Sequence, residues 1–217
     1  GNNGIGAHGQ GGKGGIGASV ADLLNKGKIQ GGIGGSGTGK PKYGLGGNGG
    51  TGVLGRRDSI IVNDQDILGG IGGQGDSSMA SGDGGAGMET MSGSQVTNNG
   101  TIRGGDGDAN TQGRGGIGVS LIGTLINNGT ISGGDGGRIR SLVKTPDMPE
   151  AIRGTDSLGV NVDKGSGSTI INNGTITGGF GPDNQQGEAI QFSEKAEDGA
   201  LILHAKSNII GNVIAKK

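Results

Sequence analysis

The chain has 217 residues, of which 58 are glycine, three are aromatic (Tyr43, Phe180, Phe192) and none is cysteine, with 18 basic residues against 19 acidic ones. Near-neutrality argues against a disordered polyelectrolyte and against a nucleic-acid binder that relies on net positive charge, and four prolines with glycines in pairs instead of strict thirds argue against collagen. An apolar content of 29% with two Phe and no Trp cannot fill the centre of a three-layer globular domain, so the core is expected to be thin and repetitive.

In chain order, residues 1–15 read as an irregular glycine-rich lead-in without the basic and apolar regions of a secretory signal, and no apolar run is long enough to span a bilayer. These features lead us to expect a mature fragment that does not itself insert into a membrane. From residue 16 to residue 198 a template recurs. It reads N-N-G-T-I-x-G-G at Asn98–Gly105, Asn127–Gly134 and Asn172–Gly179, with degraded copies starting at Asn25 and Asn63. Each copy follows a short apolar piece (Leu23-Leu24, Ile60-Ile61-Val62, Val96, Leu125-Ile126, Ile170-Ile171), and a second alternating piece lies further upstream, as in Ile117-Gly118-Val119-Ser120-Leu121 and Leu158-Gly159-Val160-Asn161-Val162. Short β-branched runs bounded by Gly and Asn predict three strands per repeat. The distance between copies varies, and the insertions are expected between the terminal Gly-Gly and the next first strand.

Three strands, each too small to bury a face alone, predict a stack of coils in which the backbone pairs up and down the stack. Within T-I-x, alternation points Ile29, Ile67, Ile102, Ile131 and Ile176 inward, with Ile209 continuing the column in the last coil, residues 199–217. The asparagines at the preceding corner (Asn25, Asn63, Asn98, Asn99, Asn127, Asn128, Asn172, Asn173) are expected to hydrogen-bond along the stack as ladders. Asn99, Asn128 and Asn173 also head N-G-T sequons, although Asn-Gly is itself a strong turn signal.

These motifs, together with the final Gly199–Val213 pattern, resemble the passenger domains of bacterial autotransporters (type V secretion) over about residues 11 to 214. The resemblance implies an all-β, right-handed parallel β-helix of about five to six coils with Gly-rich loop insertions on one face, forming a single fragment of a larger passenger. It further implies export to the bacterial cell surface and a non-enzymatic role in adhesion or virulence.

Catalytic constellations are sparse. His8 and His204 stand in unlike contexts at opposite ends, and the loop acids read as turn residues. The RTX calcium repeat fails at Ala109 and Arg138, where ligand Asp residues belong, and fits once, at Gly178–Asp183, where Gln185 nevertheless replaces the apolar residue. The expectation is no enzyme and no cofactor, with an incidental Ca2+ in one Gly-Asp loop as the sole ion considered. The insertions 33–50, 71–86, 106–116, 135–157 and 180–188 are expected to project from one face as binding loops. Their candidate contacts are Tyr43, Arg56, Arg57, Asp106, Asp108, Arg114, Arg138, Arg140 and Arg153, and the expected partners are a host surface or matrix protein, a glycan, or another copy. Two alternatives are a structural stalk without a ligand, and packed polyglycine-II helices in residues 1–17 and 31–50, as in phage-tip adhesins and glycine-rich antifreeze proteins.

Overall fold

A computed structural model describes residues 4–5, 10–37, 44–75, 81–108, 113–137, 158–163, 167–181 and 184–216. Over these residues the chain is all-β, without a helix, and apart from one short antiparallel pair its strands run parallel. That pair is β1 (Gly4–Ile5) and β2 (Gly11–Gly12). The first repeat contributes β3 (Ala18–Asn25) and β4 (Lys28–Gln30), and the second β5 (Val53–Asn63) and β6 (Asp66–Leu68). The third gives β7 (Met88–Glu89), β8 (Ser94–Asn98) and β9 (Thr101–Arg103), and the fourth β10 (Val119–Leu121), β11 (Gly123–Asn127) and β12 (Thr130–Ser132). The fifth gives β13 (Val160–Val162), β14 (Thr169–Asn172) and β15 (Thr175–Thr177). The last strands are β16 (Ile190–Phe192), β17 (Ala200–Leu203), β18 (Asn208–Ile210) and β19 (Val213–Ala215).

Like pairs with like. The third strands form a 6-stranded parallel sheet in the order β18-β15-β12-β9-β6-β4, and the first and second strands together form an 11-stranded sheet. Both curl around one apolar column, an arrangement compatible with a parallel β-solenoid. The register aligns Ile29, Ile67, Ile102, Ile131, Ile176 and Ile209 on successive strands. Ile67, Ile102, Ile131 and Ile176 are fully buried, and Ile29 and Ile209 are partly buried in the outermost repeats. Across from them lie Val53, Ile61, Met88, Val96, Leu125, Val160 and Ile170. Each such side chain contributes about 1.5–3 kcal/mol relative to exposure, which is how a chain poor in aromatics assembles a core.

At the corner before each third strand, the first asparagines form a buried column. Asn25 Nδ2 donates to Asn63 Oδ1 at 2.7 Å, and Asn63 to Asn98, Asn98 to Asn127 and Asn127 to Asn172 at 2.8 Å each. The second asparagines form an outer column of opposite direction, in which Asn173 donates to Asn128 and Asn128 to Asn99 at 2.9 Å, and Asn99 to Asp64 at 2.8 Å. A carboxylate can only accept, so Asp64 fixes the polarity of the outer column.

The insertions differ from the expected loops. Residues 31–37, 69–75, 104–108, 133–137 and 178–181 leave the third strands as extended legs, and residues 11–17, 44–52, 82–87 and 113–118 return as legs to the next first strands. Their hydrogen bonds recur every three residues. Gly31, Gly34 and Gly37 donate to the carbonyls of Leu68, Ile71 and Gln74 in the next outgoing leg, and Gly11, Gly14 and Gly17 donate to Leu45, Asn48 and Thr51 in the next returning leg. The second glycine of each pair bonds across the two layers, as in Gly32 to Gly15, Gly50 to Gly32, Gly70 to Gly50, Gly85 to Gly70, Gly105 to Gly85 and Gly116 to Gly105, at 2.7 to 2.8 Å. A three-residue period with these bonds made between legs matches the period of a polyproline II helix, which makes no internal hydrogen bonds. The legs therefore build a two-layered fin held mainly by backbone, in which the glycine pairs do keep a three-residue period, as Gly-Gly-x. Gly11 to Gly17 already belong to it, so this part of the lead-in is built into the lattice.

A second place of length variation was not anticipated. Between the first and second strands, β3 passes the corner with a register shift at Val20/Asp22, whereas β5 carries Arg56, Arg57 and Asp58, the last at φ 57°.

Candidate interaction surface

Glycine fills most of the lattice positions of the fin because its two layers touch through backbone, although Asp108 occupies one of them, with its N–H on the Gly82 carbonyl. A Cβ on Gly34 would lie 1.8 Å from the Gly47 carbonyl oxygen, and one on Gly49 1.9 Å from that of Gly70. The third residue of each triplet meets no such limit. It points away from the opposite layer, so the outgoing legs present one row made of Ile33, Ile71, Asp106, Asp135 and Phe180, with neighbours aligned by the bonds Gly34 to Ile71, Gly72 to Asp106, Gly107 to Asp135 and Gly136 to Phe180. The returning legs present Lys13, Asn48, Asp83 and Arg114 in one row on the other face.

Polar members of these rows have a structural task. In Gly-Gly-x the two glycine N–H groups are used inside the lattice, leaving the N–H of x without a backbone acceptor. Side chains from the preceding repeat supply one. Asn48 Oδ1 accepts from the Asp83 N–H at 3.0 Å, Asp83 Oδ1 from Arg114 at 2.8 Å, Asp106 Oδ1 from Asp135 at 2.8 Å and Asp135 Oδ1 from Phe180 at 2.9 Å. The Arg103 guanidinium bridges Asp106 Oδ1 at 2.6 Å and Asp135 Oδ2 at 3.2 Å. These acids are therefore repeat-to-repeat acceptors, not the turn residues that the sequence reading makes them.

The apolar members have no such task. Ile16, Ile33, Leu45, Ile71 and Phe180 are 41 to 47% exposed, at positions where the lattice accepts any side chain. Ile33 and Ile71 are neighbours in the outgoing row, and Ile16 and Leu45 stand on the returning legs; exposed apolar side chains on a hydrogen-bonded support suit contact with another surface.

The sequence-derived contacts divide accordingly. Asp106 and Arg114 lie in the exposed rows, and Asp108 lies in the same leg as Asp106 but is buried, with its N–H on the Gly82 carbonyl. Arg56 and Arg57 are exposed but belong to β5, at the corner between first and second strands, so they lie outside the Gly-rich insertions. Tyr43, Arg138, Arg140 and Arg153 lie outside the described residues. Ile33, Leu45, Ile71 and Phe180 are not among the sequence-derived contacts, although their place as x in Gly-Gly-x could have marked them.

Among the described residues no group of three or more His, Cys, Asp or Glu is placed to hold a metal ion. His204 is exposed just beyond β17. No helix of the described residues is long and apolar enough to cross a membrane. No family model, curated protein or solved structure matches the chain.

Proposed function

We propose that the chain is a segment of a right-handed parallel β-helix of the autotransporter passenger kind, displayed at a bacterial surface, and that it acts as a non-enzymatic adhesin. In this reading the fin is the binding element. The observation that carries it is the set of exposed aliphatic and aromatic side chains at lattice positions that require none, on a support stiffened by hydrogen bonds in two directions. The three-residue hydrogen-bond period favours the polyglycine-II alternative for the insertions, which joins the first reading: a β-helical body carries a polyglycine blade. The partner is a host surface or matrix protein, a glycan or another copy.

Binding of the purified chain to epithelial cells and to extracellular matrix tests this, compared with a variant carrying Ile33→Asp and Ile71→Asp. Because both side chains point away from the lattice, the variant should unfold at the same denaturant concentration as the parent and lose binding. Equal binding by both would remove the outgoing face from consideration, and no binding by the parent would favour the stalk reading.

A further inference from the structure

The fold places a chemically labile dipeptide at the same corner of three repeats. Asn99-Gly100, Asn128-Gly129 and Asn173-Gly174 need glycine there, since a Cβ on Gly129 would lie 2.1 Å from the Gly100 carbonyl oxygen and one on Gly174 2.1 Å from that of Gly129. They need asparagine for the outer ladder. Asn-Gly is also the dipeptide most open to attack by a backbone nitrogen on the preceding side-chain amide, because glycine carries no side chain to hinder it. All three occur in the same local sequence, N-N-G-T-I, so any difference between them comes from the fold.

We infer that Asn173 is the site of spontaneous deamidation in the folded chain, and that the ladder protects Asn99 and Asn128. Two independent features separate it from the others. The first concerns the nucleophile. The N–H of Gly100 donates to the Asn63 carbonyl and that of Gly129 to the Asn98 carbonyl, both at 3.0 Å, which holds these nitrogens against the preceding repeat. At all three corners the preceding asparagine N–H donates to the same carbonyl at 2.7 Å (Asn99 to Asn63, Asn128 to Asn98, Asn173 to Asn127), but at the third the Gly174 N–H adds no second bond to it.

The second concerns the electrophile. Asn99 and Asn128 are held at both ends, each donating to the repeat before and accepting from the repeat after. Asn173 donates to Asn128 but ends the column, because pairing of Asn172 with Leu203 puts His204 where the next amide would stand, and the His204 N–H goes to the Asn172 carbonyl. Its side chain is therefore held at one end only and has the greater freedom to turn its carbonyl carbon toward Gly174.

The step balances without an outside oxidant or reductant. The Gly174 nitrogen loses its proton and bonds to Asn173 Cγ, the Cγ–Nδ2 bond breaks, and Nδ2 departs as ammonia with that proton. Water then opens the resulting succinimide to aspartate or isoaspartate. Either product lacks the amide donor, so the bond to Asn128 Oδ1 is lost and a new negative charge appears at the end of the outer column.

Peptide mapping by mass spectrometry after incubation of the full chain in mildly alkaline buffer measures the three rates together. In the folded chain Asn173 should convert roughly tenfold faster than Asn99 or Asn128, the factor expected from one hydrogen bond restraining the nucleophile. In urea sufficient to unfold the chain the three rates should become equal. Equal rates in the folded chain, or a faster rate at Asn99 or Asn128, would overturn the inference. So would an excess at Asn173 that persists in urea.

Discussion

A methyl group on Gly105 would have backbone atoms as its three nearest neighbours, the first of them the carbonyl oxygen of Gly70, at 1.9 Å. The amide of Gly105 meanwhile donates to Gly85 at 2.8 Å. Neither partner is a flexible side-chain tip that can swing aside, so the legs must separate to admit a side chain. Gly105→Ala is expected to destabilise the chain by about 1–3 kcal/mol, as overpacking does in dense cores. Gly27, at a corner with nothing within 4 Å of its Cβ position, is the control. Gly27→Ala should be neutral or stabilising by about 0.4–1 kcal/mol through the unfolded state. Urea unfolding of both variants checks the contrast, and equal effects would count against the fin.

The buried asparagine column predicts a cost that depends on position. Asn98 is fully buried, accepts from Asn63 and donates to Asn127. Truncation to alanine strands a donor on one side and an acceptor on the other, so Asn98→Ala should cost about 2–6 kcal/mol at about 1–3 kcal/mol for each unsatisfied group. Asn25 stands at the end of the column and serves one neighbour in it, so Asn25→Ala should cost about half as much. The midpoints of denaturant unfolding curves provide the comparison.

Ile131 tests the apolar column in the same way. It is fully buried between Ile102 and Ile176. Ile131→Val should cost about 0.5–1.5 kcal/mol, whereas Ile131→Asp, which buries an unpaired carboxylate, should prevent folding or cost several times as much. An Asp variant as stable as the parent would show that the stacked column is not the core.

For the fin acids the oxygen matters more than the charge. Asp106 Oδ1 accepts from the Asp135 backbone, and an asparagine retains that oxygen. The ion pair with Arg103 is between partly exposed groups and is worth about 0–1 kcal/mol. Thermal unfolding of Asp106→Asn should therefore stay close to the parent, while Asp106→Ala should be lower by about 1 kcal/mol, the net value of one hydrogen bond. Any deficit of Asp106→Asn should shrink in high salt.

Much of the body was legible because its constraints recur in one template. Ile102, Ile131 and Ile176 sit at the same place in T-I-x, and Asn98, Asn127 and Asn172 at the same place before it, so alternation and amide chemistry were enough to place them. The fin was read only in part, as the polyglycine-II alternative for residues 1–17 and 31–50, for a physical reason. A strand announces itself by apolar alternation, but a polyglycine leg buries no side chain, and its third residue is free to be Ile33, Asn48, Asp106 or Arg114. Only the period of the glycines carries the signal, and pairing disguises a period of three. The corner of Arg56 and Arg57 was missed because β5 runs through it unbroken, with no Gly-Gly to mark an insertion.

The central claim is that the Gly-rich insertions form a hydrogen-bonded lattice, and amide hydrogen exchange followed by NMR tests it most directly. The N–H groups of Gly50, Gly70, Gly85, Gly105 and Gly116, each donating to a glycine carbonyl across the fin, should exchange orders of magnitude more slowly than in an unstructured peptide, approaching the protection of the Ile102 and Ile131 amides. Exchange of these glycines at the unstructured rate, with the isoleucines still protected, would contradict the account and return the insertions to solvated loops.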